Sequence, residues 1–190
     1  MADRTPVSKE PDGSGTPRGR RHPRVRAGYR RTDETGLIYA SDERAEVLAA
    51  ETTQAPEHVA RALGLDLAAR VLRRRRVTRR GDEPVELSTS WYDGKIADRA
   101  PALGLPERVL EGTLAYVERV TGRRGGVARD RMSARLATAE ERTVLDLTEP
   151  AAVLVIHHVV CDTDNRPLGF EEAICPPETW TLKQEYPVHG

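Results

Sequence analysis

The chain has 190 residues, with 30 basic and 30 acidic side chains and a formal charge of zero. That length holds one domain of ordinary size plus a tail. No apolar run approaches the roughly 20 residues of a membrane span, and the N-terminus has no hydrophobic stretch resembling a secretion signal. Two cysteines exclude a disulfide scaffold and fit a reducing, cytoplasmic setting. Zero net charge argues against a polyanion partner, yet that average conceals an asymmetry along the chain.

Residues 13–32 contain no acid, and seven arginines fall between Arg18 and Arg31. Glycine and proline interrupt any period there, and little apolar surface is available to offset the entropy of ordering. Two readings follow: a solvated linker, or an arm whose guanidinium groups release counterions from nucleic-acid phosphates.

A regular period begins near residue 56. Pro56, Val59, Ala60, Leu63 and Gly64 read as a short amphipathic helix. Val71 to Arg79 reads as a strand, Gly81 to Pro84 as a turn, and Val85 to Tyr92 as the return strand. Pro106 to Val120 follows as a helix with Pro106 at its first position and Gly122 as its stop. Ala128 to Ala137 reads as a strand, although Arg129, Asp130 and Arg131 suit a buried one poorly. Thr138-Ala-Glu-Glu141 has the capping-box pattern and starts a helix expected to reach Leu147. Val153 to Cys161 and Leu168 to Cys175 form a second hairpin about Asp164–Pro167.

The order helix, strand, turn, strand therefore occurs twice, at a shift of 82 to 83 residues. The expectation is an α+β fold: one mostly antiparallel sheet built from two helix–hairpin units, with helices packed on one side of it. The second hairpin is apolar on both faces and is expected at the centre.

Arg73 to Arg76 alternate across a strand, so Arg74, Arg76 and Thr78 share one face and Arg73 and Arg75 the other. One reading is a solvated face with packed aliphatic stems. The other is a pocket in which guanidinium forks hold a carboxylate or phosphate. His157 and His158 point to opposite faces and cannot ligate one metal together, and no Cys/His spacing supports a zinc site. Cys161 and Cys175 fall out of register in their hairpin, so no disulfide is expected. Neither a nucleophile-elbow nor a phosphate-loop motif occurs around Ser88, Ser90 or Ser133. The sequence thus points to no catalytic residue, metal or cofactor.

Three stretches, VLRRRRVTRRGDEPVELSTSWY, SARLATAEERTVLDL and VLVIHHVVCDTDNRPLGFEEAICP, resemble the effector-binding UTRA domain of GntR-type, HutC-subfamily transcription regulators. The resemblance covers about residues 35–187. It implies a chorismate-lyase-like fold, a dimer, and a domain that senses a small molecule and alters how a winged helix grips DNA. The expected division is a flexible Arg/Gly/Pro-rich arm, 1–34, and a sensing domain, 35–190. The residues ahead of that domain are too few for a complete winged helix, although Gly13-Ser-Gly-Thr16 is similar to the end of its wing. DNA contact would then come through a winged helix absent or truncated in this chain, or weakly through Arg18–Arg31.

By position, the resemblance places an effector among Arg76, Thr78, Ser88, Ser133, Arg135 and Glu171. Arg76 and Arg135, facing each other, would favour a small anionic metabolite, and Glu171 would accept bonds from a hydroxyl or amine. The leading expectation is a ligand sensor and not an enzyme. Alternatives are a chorismate-lyase-like enzyme or a nucleic-acid-binding protein working through its basic arm.

Overall fold

A computed structural model of the chain describes residues 42–148 and 150–179. The expected arm of residues 1–34 and its boundary lie outside the described residues. Six strands form one sheet: β1 (Glu43–Gln54), β2 (Arg70–Arg80), β3 (Glu83–Asp93), β4 (Gly125–Leu136), β5 (Ala152–Asp162) and β6 (Pro167–Cys175). Their order is β1-β2-β3-β6-β5-β4, and every described pairing is antiparallel. Each half contributes strand, helix, strand and return strand, and the halves meet where β3 pairs with β6. The repeated unit is thus one strand longer than the sequence pattern suggested. The centre is shared by the two return strands, not held by the second hairpin alone.

Strand β1 escapes sequence reading because ERAEVLAAETTQ is rich in Ala and Glu, which are depleted in strands. Pairing with the whole of β2 supplies what its propensity lacks. Strand β4 is the opposite edge, and all twelve of its residues are exposed. That position explains how Arg129, Asp130 and Arg131 tolerate a strand.

The first hairpin turns at Gly81, φ 59°, and the second at Asn165, φ 64°, a left-handed conformation that asparagine tolerates better than most residues. Thr138 accepts from the Glu141 N–H, and Glu141 accepts from the Thr138 N–H, so the capping box is complete.

Helices lie on both faces of the sheet, not on one. On the back face, α1 (Glu57–Leu63) packs Val59, Ala60 and Leu63 against Val71, Trp91 and Phe170. Also on that face, Leu145 and Ala137, flanking α4 (Ala139–Val144), pack on Leu87, Val153, Val155 and Ile174. This last helix ends before Leu147 because Asp146 turns left-handed, φ 53°. On the front face, α2 (Gly94–Arg99), a 3-10 turn (Pro101–Gly104) and α3 (Thr113–Thr121) cover Leu72, Tyr92, Val160 and Leu168.

The helix expected from Pro106 is corrected by this arrangement. Residues 105–112 are irregular, Leu110 is 83% exposed, and Gly112 at φ 87° precedes the first turn of α3. No helix among the described residues is long and apolar enough to cross a membrane.

Candidate functional site

Strand alternation and register fix which side chains meet. Across the front face, Arg74, Ser90, Glu171, His158 and Asp130 are successive partners on β2, β3, β6, β5 and β4. One polar row therefore crosses five strands in the middle of the sheet. The next front-face row begins with Arg76 opposite Ser88, and Thr78 lies opposite Glu86 beyond it.

Two bonded groups lie along this row, one around Glu171 and one between His158 and Asp130. Arg76 Nη2 donates to Glu171 Oε2 at 2.7 Å, and the Ser90 hydroxyl donates to the same oxygen at 2.7 Å. Arg76 Nη1 also reaches Ser90 Oγ at 3.3 Å. His158 Nδ1 lies 2.5 Å from Asp130 Oδ1 on the edge strand. Burial pushes the Glu171 carboxyl up. The Arg76 charge, the Ser90 bond and the field of His158 outweigh it and leave the group below the usual carboxylate range. Glu171 is thus an anion held in a desolvated floor.

Above this floor is an open cleft, lined by Ser90, Glu171 and His158 below and by Thr113, Leu114 and Val117 of α3. Tyr92, Val160, Leu168, Gly169 and Phe170 complete it. A Cβ at position 169 would stand 3.0 Å from the Tyr92 ring, so glycine there lets the ring lie flat against β6. Burial raises the Tyr92 phenol above its ordinary value, and the ring remains neutral.

The wall segment is positioned by Arg74, which is only 2% exposed. Its Nη1 donates to the carbonyls of Leu103 and Leu105 at 2.9 and 2.5 Å, and its Nη2 to that of Glu107. A buried guanidinium thus anchors the segment leading into α3. This is neither a solvated face nor a ligand fork.

Of the six sequence-predicted residues, the structure brings Arg76, Thr78, Ser88 and Glu171 to the front face. Thr78 and Ser88 are 3% and 0% exposed, and neither hydroxyl has a hydrogen-bond partner. A buried hydroxyl left unpaired costs about 1–3 kcal/mol.

Ser133 and Arg135 are placed on the back face, because they pair with Val155 and Val153 of β5. Arg135 does not face Arg76. It makes a two-pronged bond to Glu141 at 2.7 Å on each oxygen, bracing the capping box. That bond and the Glu141 charge raise the Arg135 pKa, whereas partial burial opposes the rise.

Sequence reasoning passed over Ser90, His158, Tyr92 and Asp130. Ser90 was accessible to it, since it stands two residues from Ser88 and must share its face. His158 and Asp130 required the register of β5 against β4 and β6.

The expected separation of the histidines is observed. His158 faces front, while His157 faces back and bonds Glu172 at 2.8 Å. Cys161 and Cys175 are buried, form no disulfide, and stand opposite Pro167 and Leu154 respectively.

Residues 41–180 match the profile of the UTRA domain. The chain belongs to the UTRA domain family. The HTH-type transcriptional regulator GgaR of Escherichia coli K12 is 26% identical over 128 residues, which are 67% of this chain and 48% of that protein. The chain spans about half the length of the curated relatives it matches.

Among solved structures, a GntR-family transcriptional regulator from Bacillus cereus superposes with a TM-score of 0.68 at 18% identity, covering 77% of this chain and all of that one. The effector domain of PhnF from Mycobacterium smegmatis gives 0.63 at 21% identity, covering 84% of this chain and 91% of that one. These likenesses establish a shared α+β fold between this UTRA domain and GntR-family regulators.

Proposed function

We propose that this UTRA domain is the sensing part of a cytoplasmic, GntR-type regulator of the HutC subfamily, without enzymatic activity. Its ligand is a small anionic metabolite that also carries a hydroxyl or amine. The anionic group is received by Arg76 with the Thr78 and Ser88 hydroxyls, and the donor group by Glu171. The observation that carries this reading is the front-face floor itself. It holds a desolvated Arg76–Glu171–Ser90 network, of which Glu171 and Ser90 line the open cleft, beside two buried, unpaired hydroxyls in the adjoining rows. Unmade bonds in a polar floor favour a ligand that completes them.

Residues 35–190 form the sensing domain and 1–34 a flanking arm. DNA contact belongs to a winged-helix part of the regulator, to which Arg18–Arg31 can add phosphate contacts. Ligand binding shifts the regulator between two arrangements, which requires a different affinity for each.

The test is calorimetry on the full chain with a metabolite library. Arg76→Ala and Glu171→Gln should each weaken binding by about 1.5–3 kcal/mol, the worth of a charged hydrogen bond. Arg135→Ala should leave it unchanged. Unaltered affinity in both of the first two variants would remove the site.

A further inference from the structure

We infer that the ligand of the front-face site is a small 2-amino or 2-hydroxy acid with an apolar side chain. The inference rests on the roles given above to Arg76 and Glu171, and adds what fills the rest of the cleft.

The cleft has two unlike ends. One is the polar row of Ser90, Glu171 and His158. The other is made by the Tyr92 ring, Val160 and Leu168 on the sheet and by Leu114 and Val117 on α3, all of them parts of one apolar cluster. Four of these side chains carry no hydrogen-bonding atom, and the Tyr92 hydroxyl is hydrogen-bonded to Thr113. That bond fixes the edge of the Tyr92 ring, and close approach to Gly169 fixes its face. The apolar end is therefore built before a ligand arrives, which spares the cost of ordering it.

A polyhydroxylated ligand is disfavoured at that end. A hydroxyl pressed against Leu114, Val117 or Val160 gives up its water and meets no partner. A hydrocarbon chain or flat ring gains by leaving water for the same surface. The two ends together call for an amphipathic molecule.

The polar end fixes how the head of that molecule is built. Arg76 Nη2 and Glu171 Oε2 are only 2.7 Å apart. The acid group that Arg76 receives and the donor that Glu171 receives must therefore lie side by side, as an acid and an amine or hydroxyl on the neighbouring carbon do. A side chain on that carbon can then run toward Tyr92 and Val160. Gly169, two residues from Glu171 on the same face of β6 and opposite Val160, puts no side chain in its way.

The test is calorimetry on the full chain with leucine and phenylalanine, both enantiomers of each, and with their 2-hydroxy analogues. The amino and hydroxy arms show which donor Glu171 takes. Three truncated probes complete the set: 4-methylpentanoate lacks the donor, 3-methylbutylamine lacks the acid, and alanine lacks the apolar chain. At least one donor-bearing acid should bind about tenfold or more tighter than all three. Replacing half-buried Leu114 in Leu114→Ala should cut the preference for that acid over alanine about fivefold. Val160→Thr keeps the shape and adds a hydroxyl, and should do the same; circular dichroism checks that both variants fold. The inference is overturned if no donor-bearing acid outbinds the truncated probes, or if both variants keep the preference intact. Glycerol 3-phosphate binding more tightly than the acids, and weakened by Arg76→Ala, would overturn the apolar body while upholding the site. Acid binding indifferent to both Arg76→Ala and Glu171→Gln would overturn the site and the inference with it.

Discussion

Replacing Arg74 by methionine should loosen the wall of the cleft while leaving its floor in place. The guanidinium makes three bonds to backbone carbonyls, at Leu103, Leu105 and Glu107. A hydrogen bond to a charged group contributes about 1.5–3 kcal/mol, but adding three such values overshoots. Leu105 and Glu107 are exposed, so their carbonyls regain water once the donor is gone. Leu103 is fully buried, and its carbonyl does not. Methionine keeps much of the stem volume and removes the charge, so no uncompensated cation stays behind. The expected loss is about 3 kcal/mol, one strong bond together with one stranded acceptor, which is a large share of a typical 5–15 kcal/mol stability. Urea unfolding should show a lower midpoint with an unchanged slope. Hydrogen exchange should speed up at the Leu103 and Leu105 amides, which bond to Ala100 and Ala102. A loss below about 1 kcal/mol with those amides still protected would refute the anchoring role of Arg74.

The remaining expectations use the same reasoning elsewhere. Burial pushes the Glu141 carboxyl up, but the Arg135 bonds and the Thr138 N–H bring it below its ordinary value of 4.5. A carboxyl lowered by folding contributes stability above its unfolded pKa and loses it as the pH falls through the folded value. Acid melts of wild type should therefore drop more steeply below about pH 4.5 than those of Glu141→Gln, and parallel curves would remove the claim. Thr138→Ala deletes the cap bond to the Glu141 N–H and should cost about 1 kcal/mol in chemical denaturation. Ligand affinity should fall in Arg76→Ala and Glu171→Gln but not in Arg135→Ala, as calorimetry would show.

Local chemistry made much of this fold legible. Thr138 and Glu141 announce their helix because a capping box closes within four residues. Gly81 and Asn165 mark the hairpins because the turns need left-handed backbone. Where long-range contact overrides local preference, the sequence misleads. Strand β1 has poor propensity and exists through its pairing with β2. Pro106 has the look of a helix start, yet Arg74 holds the Leu103, Leu105 and Glu107 carbonyls in a course that no α-helix follows. The edge position of β4 accounts for three consecutive charges that would be costly in a central strand.

The site divides in the same way. Alternation along a single strand is a property of the chain, so Arg76 and Thr78 on one face, and His157 and His158 on opposite ones, follow from the sequence alone. Whether two strands turn the same residues to the same face depends on their register, and a slip of one residue reverses every side chain. The pairing of Arg135 with Val153 and of Arg76 with Ser88 is what sends the two arginines to opposite sides of the sheet. The same pairing aligns Arg74, Ser90, Glu171, His158 and Asp130, five residues spread over almost one hundred positions, into one row. The sequence by itself determined the family, the hairpins and the alternation. Only the tertiary structure decided which of its many arginines stand on the face that carries the cleft, because register is set by contacts between distant segments.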